Sequence, residues 1–207
     1  MGHSEPVLPR RVPWSSADTT SGPRDRIIVA ASRCLADVGL ERTSISEIAR
    51  RAGVSRQTIY NHFAERDEIV AAAIGLAAAE ASERIIARVR QQASAADFVV
   101  ELCVAALDEF THNPAIRPMI SLLEQPGARS STLTPEVIAY ARGFLEPVLD
   151  HEPHLADGID EMTETFLRFE LSLLTLDSAT TRSPDAIRGY LHRVLVPALG
   201  LTPSPSH

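Results

Sequence analysis

Six side chains between Arg56 and His62 can donate hydrogen bonds, and none is acidic: Arg56, Gln57, Thr58, Tyr60, Asn61 and His62. Ile59 lies among them and Phe63 follows four residues later, the spacing that puts two apolar side chains on one face of a helix. A helix with one buried edge and an acid-free donor surface complements groups that accept hydrogen bonds and carry negative charge. Phosphates and the base edges of DNA are such groups. Arginine suits guanine, and glutamine or asparagine suits adenine, by bidentate geometry. This chemistry is recognition. No catalytic constellation accompanies it: the sequence has no phosphate-cradling glycine loop, no Cys-x-x-Cys and no plausible serine with a paired histidine.

The stretch that must position these donors is Thr43–Arg66, TSISEIARRAGVSRQTIYNHFAER. Ser44 can cap a first helix, with Glu47 three residues on, as a capping box requires. Ile48, Ala49 and Ala52 supply its inward side. Gly53 ends it, because glycine takes the left-handed conformation cheaply. Ser55 caps the second helix, and Val54 and Ile59 form a hydrophobic staple across that cap. Two short helices about a glycine turn make a helix-turn-helix, whose second helix fits the major groove with its N-terminal residues facing base edges.

The stretch resembles the DNA-binding domain of the TetR family of bacterial transcriptional regulators. The matching residues are Thr43-Ser44, Glu47-Ile48-Ala49, Ala52-Gly53-Val54-Ser55, Thr58-Ile59-Tyr60 and His62-Phe63, followed by Arg66-Asp67-Glu68. By this resemblance Thr43, Ser44, Tyr60, His62 and Arg66 fall at positions that grip the DNA backbone. Ser55 adds a short polar side chain at a helix start. Arg56, Gln57, Thr58 and Asn61 are the base readers expected. Gln57 stands where the family often has glycine and Arg66 where it often has lysine. The first puts a longer side chain near the groove floor, and the second keeps the charge.

The net charge of −7 disagrees with DNA binding until it is divided along the chain. Residues 1–66 hold ten arginines against seven acids, a balance of +3, and residues 67–207 hold ten against twenty, a balance of −10. A basic reading head on an acidic body follows. Hydrophobic content of 44% with 5% aromatic residues is ordinary for a globular chain. No apolar run approaches the roughly 20 residues of a membrane span, and the N-terminus has no signal-peptide core. Cys34 and Cys103 fall on apolar helix faces without a disulfide framework, so a cytoplasmic location is expected.

The expected organisation is all-α, with about nine helices and no strand or repeat. Residues 1–23, rich in Pro, Ser and Thr, read as a disordered, solvated tail with no specific role; the alternative is that Arg10, Arg11 and Trp14 touch DNA as an arm, as some family members' tails do. Residues 24–66 form the DNA-binding domain and 67–202 a helical effector-binding and dimerisation domain. Helices are expected over 24–38, 44–52, 55–62, 66–92 and 95–112. Further ones follow Asn113-Pro114, Thr134-Pro135 and Ser183-Pro184, with another over 159–178. The segments 125–133 and 151–158 read as loops. His151, Glu152, His154 and Asp157 cluster in the second, at no spacing that suits a metal, and neither metal nor cofactor is expected.

Two further sets of residues matter. Phe98, Leu102, Cys103, Leu107, Phe110, Met119, Leu123, Tyr140, Phe144, Phe166 and Phe169 come from helices expected to surround one centre. Glu170 lies inside an apolar run, and a buried acid wants a partner or a ligand. The resemblance implies an effector site here, for something small and largely apolar. Leu167, Leu171 and Leu174 form a second apolar face of their helix, and Ile187, Tyr190, Leu191 and Val194 line the next one. The resemblance implies that these faces make a four-helix homodimer interface, which also suits the reading of a palindromic operator. The expected function is therefore a ligand-released, DNA-binding repressor. The alternatives are a ligand-independent architectural regulator, a helix-turn-helix enzyme such as a recombinase, and a helical sensor without DNA.

Overall fold

A computed structural model of the chain describes residues 22–123, 133–176, 178 and 183–202, for 121–123 the backbone only. The expected tail lies outside these residues as far as residue 21, with Arg10, Arg11 and Trp14, and so does the expected loop over 125–133 save its last residue. Among the described residues every regular element is helical: α1 (Pro23–Arg42), α2 (Ile45–Ala52), α3 (Arg56–Tyr60), α4 (Arg66–Val89), α5 (Ala95–His112), α6 (Arg117–Leu123), α7 (Pro135–Leu145), α8 (Ile159–Thr175) and α9 (Pro184–Ala198). No helix among them is long and apolar enough to cross a membrane.

Local chemistry sets most boundaries. Pro23 opens α1 at a position where a missing N–H is harmless. Gly39 interrupts that helix with φ +78°, so the chain turns there before a last turn to Arg42. Gly53 stops α2 in the left-handed region at φ +65°. The hydroxyls of Ser44, Ser55, Thr134 and Ser183 each accept a hydrogen bond from the backbone N–H three residues on. Several boundaries differ from expectation: α4 ends at Val89 and α8 at Thr175, each three residues early, and α6 begins only at Arg117. α3 is five residues long, so Asn61 and His62 lie at and beyond its C-terminus. Pro147, which has no N–H to give, tightens Glu146–Asp150 into a 3₁₀ turn after α7. The loop expected over 151–158 winds into a second 3₁₀ turn at Pro153–Gly158. His154 lies 3.5 Å from Glu152 there, and no metal-ligand group forms among the described residues.

The chain packs as two compact units, divided within α4 rather than at its start. One runs to Glu83 and includes Phe110–Leu122. Its main core joins Ile27, Ala31, Cys34 and Leu35 of α1 to Ile48 of α2, Ile59, Phe63 and Ile69. A fully buried aliphatic side chain of this kind stabilises by about 1.5–3 kcal/mol, so three short helices and the start of α4 share one apolar centre. The other unit holds Arg84–Glu109 and the described residues from Leu123 onward. There α5 is buried along nearly its whole length, from Ala95 to Leu107, against Leu145, Met162, Phe166, Leu191 and Leu195. Glu101, on the outer side of α5, binds Arg88 at 2.6 Å and Arg188 at 3.1 Å, which ties α4, α5 and α9 together. Cys34 and Cys103 are free thiols, both buried.

Candidate nucleic-acid interface

The donor surface stands on two capped helices. The Ser44 hydroxyl accepts from the Glu47 N–H at 3.3 Å. The Glu47 carboxylate then takes Arg50 at 2.5 Å and Arg51 at 2.7 Å, and Arg51 reaches across to Asp37 of α1. These two guanidinium groups hold the Glu47 carboxyl at a pKa of about 2, far below the ordinary carboxylate range. The cluster pins α2 to α1. Across the Gly53 turn, the Ser55 hydroxyl accepts from the Thr58 N–H at 3.0 Å and lies 2.9 Å from the Thr58 hydroxyl. Arg56 donates back to the Ser46 hydroxyl. Ile59 and Phe63 are buried, and Arg24 lies 5.0 Å over the Phe63 ring as a cation–π contact.

With that edge anchored, Ser55, Arg56, Gln57, Tyr60, Asn61 and His62 are exposed and Thr58 is half-buried. Tyr60 is 53% exposed, with its hydroxyl-bearing ring on the same surface as its polar neighbours. The Gln57 amide donates to Asn61 at 3.2 Å, so the two expected adenine readers are held side by side. Ser44 is exposed at the start of α2.

Two residues placed on DNA by resemblance are engaged inside the protein. Thr43 is fully buried, and its hydroxyl donates to the Gly39 carbonyl at 2.8 Å. Its side chain therefore holds the start of α2 and has no free donor face. Arg66 donates to the Thr43 carbonyl at 2.6 Å and to the Leu40 carbonyl, and lies 3.0 Å from Asp67. It binds the first turn of α4 to the α1–α2 corner. A feature the sequence reading missed is a groove of about 440 Å³ walled by Arg26, Arg33, Arg50 and Arg51. The seven-residue spacing of Arg26 and Arg33 was its only sequence signal.

The expected effector residues divide. Phe98, Leu102, Cys103, Leu107 and Phe166 are buried in one cluster, with Phe144 and Phe169 packed against it. Phe110 and Met119 pack elsewhere, with Ala77, Ala81, Ala115 and Ile116. Tyr140 is exposed, its ring 5.5 Å from that of Phe144. The side chain of Leu123 lies outside the described residues. Glu170 is 4% exposed, and neither carboxylate oxygen has a hydrogen-bond partner. Burial pushes its carboxyl up to about 8, and the Cys103 thiol is the group that partly offsets this. Of the expected dimer residues, Leu167, Leu171, Leu174, Ile187 and Tyr190 are half-buried and Val194 is exposed. Leu191 is wholly enclosed in the core of its own protomer and cannot face a partner directly.

Residues 27–73 match the family model for bacterial regulatory proteins, tetR family. An uncharacterized HTH-type transcriptional regulator of Mycobacterium tuberculosis is 48% identical over 46 residues, 22% of this chain. The match spans about a quarter of that relative, 24% of its length. The TetR family repressor AlkX from Dietzia, implicated in biodegradation of n-alkanes, superposes with a TM-score of 0.58 at 24% identity, over 86% of this chain and 96% of its own. AibR, solved with isovaleryl coenzyme A and operator DNA, superposes with a TM-score of 0.52 at 15% identity, over 89% of this chain and 100% of its own. The latter two likenesses show the fold. Residues 27–73 thus match a tetR-family DNA-binding domain, and the chain as a whole shares the fold of TetR family regulators.

Proposed function

We propose that this regulator is a homodimeric repressor that reads a palindromic operator and leaves it when a small, largely apolar ligand fills the α5–α8 core. The observation that carries the reading is the donor surface of α3. Arg56, Gln57, Tyr60, Asn61 and His62 are exposed, acid-free and held on a buried Ile59–Phe63 edge. Ser44, Ser55 and Tyr60 meet phosphates, and Arg56, Gln57, Thr58 and Asn61 meet bases. Thr43 and Arg66 act one step back, by fixing the corner from which α2 starts.

Release requires a ligand that binds two spacings of the recognition helices with different affinity. Arg66 offers a route, since a shift of α4 pulls on the Leu40 and Thr43 carbonyls it holds. The half-buried leucines of α8 and the exposed Val194 of α9 supply the dimer face. AibR, crystallised with both an acyl-coenzyme A and operator DNA, supports pairing the two activities on one fold.

The test starts from duplexes enriched out of a random pool by the purified protein. Tyr60→Ala then weakens binding to the enriched site and to a base-substituted variant alike, whereas Gln57→Ala changes the ratio between them. Equal losses on both duplexes for Gln57→Ala would remove Gln57 from base reading.

A further inference from the structure

The geometry points to an organic ammonium ion as the ligand class of the effector core, its charge received by Glu170 and its apolar body by Phe98, Leu102, Phe144 and Phe166. This rests on the reading of that core as an effector site and names what the site selects. Met162, Phe166 and Glu170 follow one another at four-residue spacing on the inward face of α8, so the carboxyl sits where the helix meets α5. Both of its oxygens are enclosed and without a hydrogen-bond partner. A carboxylate in such a place needs a donor or a cation.

Among the described residues no cation acts on it. Arg168, two residues away, turns out to Glu164 at 2.5 Å. Arg88 and Arg188 are taken by Glu101 on the outer side of α5. Among the described residues the Cys103 thiol is the one titratable group acting on Glu170. An ammonium has three donors for two open oxygens, and the phenylalanines of the same core cluster, Phe98 and Phe166 with Phe144 packed against them, are of the kind whose ring faces attract cations. Residues 67–207 carry a balance of −10, which draws cations and repels anionic ligands. On binding, the Glu170 carboxyl gives one proton to solvent and the resulting carboxylate pairs with the ammonium. Affinity therefore rises with pH until the carboxyl is ionised without help.

Calorimetric titration of the full chain with phenylbutylamine, phenylbutanol and phenylbutyrate tests this, since the three probes share a body and differ in charge. The amine is expected to bind, with the alcohol weaker and the carboxylate weakest. Amine affinity should rise by about tenfold between pH 7 and pH 9. Glu170→Gln should weaken the amine by about tenfold or more while leaving the alcohol unchanged. Glu170→Leu should abolish the amine preference and raise the unfolding midpoint of the free protein, which shows that the variant folds. No binding of the amine, equal binding of amine and alcohol, or an unaltered preference in Glu170→Gln would each overturn the inference. Operator binding is measured in parallel. Amine binding without any effect on operator affinity would sink the repressor reading and leave the ligand class standing. Release of operator by the alcohol or the carboxylate in preference to the amine would do the reverse.

Discussion

The head and the core around Glu170 hold their polar groups on opposite sides of the surface. In the head Arg56, Gln57, Tyr60, Asn61 and His62 face outward, where Arg56 reaches Ser46, Gln57 reaches Asn61 and water can meet their remaining donors. In the core Glu170 points inward, where among the described residues the Cys103 thiol alone acts on it. An exposed donor costs almost nothing while it waits, so the head can carry six. A buried carboxyl costs a great deal, and the core carries one. The difference matches the ligands proposed for each: a long anionic surface outside, a small complementary group inside.

The comparison is broken most severely at the buried edge that holds the head's donors. Phe63→Ala should cost about 3–5 kcal/mol, measured by urea unfolding, because it removes a buried ring together with its contact to Arg24. DNA binding should fall with it. Intact DNA binding in a stable Phe63→Ala protein would mean that the donors are not set by that edge.

The buried acid is next. With its carboxyl at about 8 in the folded chain and at the ordinary carboxylate value when unfolded, Glu170 binds its proton more tightly in the fold. Its contribution is fully present below about pH 4.5 and is lost as pH rises through about 8. Wild type should therefore lose on the order of a few kcal/mol across that window relative to Glu170→Gln. Parallel stability curves for the two proteins would show that the carboxyl finds a partner.

Smaller effects sharpen the head's side of the contrast. Tyr60→Ala should cost about 1–2 kcal/mol of binding on every duplex, read by fluorescence anisotropy. Ser55→Ala should cost about 1 kcal/mol of stability through the lost cap on α3. The smallest change is expected at Glu47, whose carboxyl is held at about 2. The stability it adds is present above the ordinary carboxylate value and fades as pH falls toward 2. The pairing is largely solvated and screened by salt, so Glu47→Gln should flatten only the acid limb of the unfolding curve.

The order of these effects parallels what could be read from the sequence. Ser44, Gly53, Ser55 and the Val54–Ile59 staple were legible because each acts within a few residues of itself. Arg66 was not, because the carbonyls it binds belong to Thr43 and Leu40, more than twenty residues away in the chain. The burial of Thr43 was not legible either: its hydroxyl is turned inward to the Gly39 carbonyl. In the effector core, helical spacing identified the apolar faces but not which neighbour covers each. Phe110 and Met119 accordingly left the cluster, and Leu191 turned inward. The inward stripe of α8 ran through Glu170, with Leu176 left exposed beyond the helix end.

The claim on which the rest depends is that the surface of α3 reads DNA sequence. Enrichment of random duplexes by the purified full-length chain, followed by anisotropy over a range of salt, tests it directly. The account predicts one enriched site of two inverted half-sites, bound with an affinity that falls linearly in log–log form as salt rises. It also predicts that Gln57→Ala enriches a different half-site. A pool that stays random after repeated selection, with binding that depends on salt alone, would contradict it.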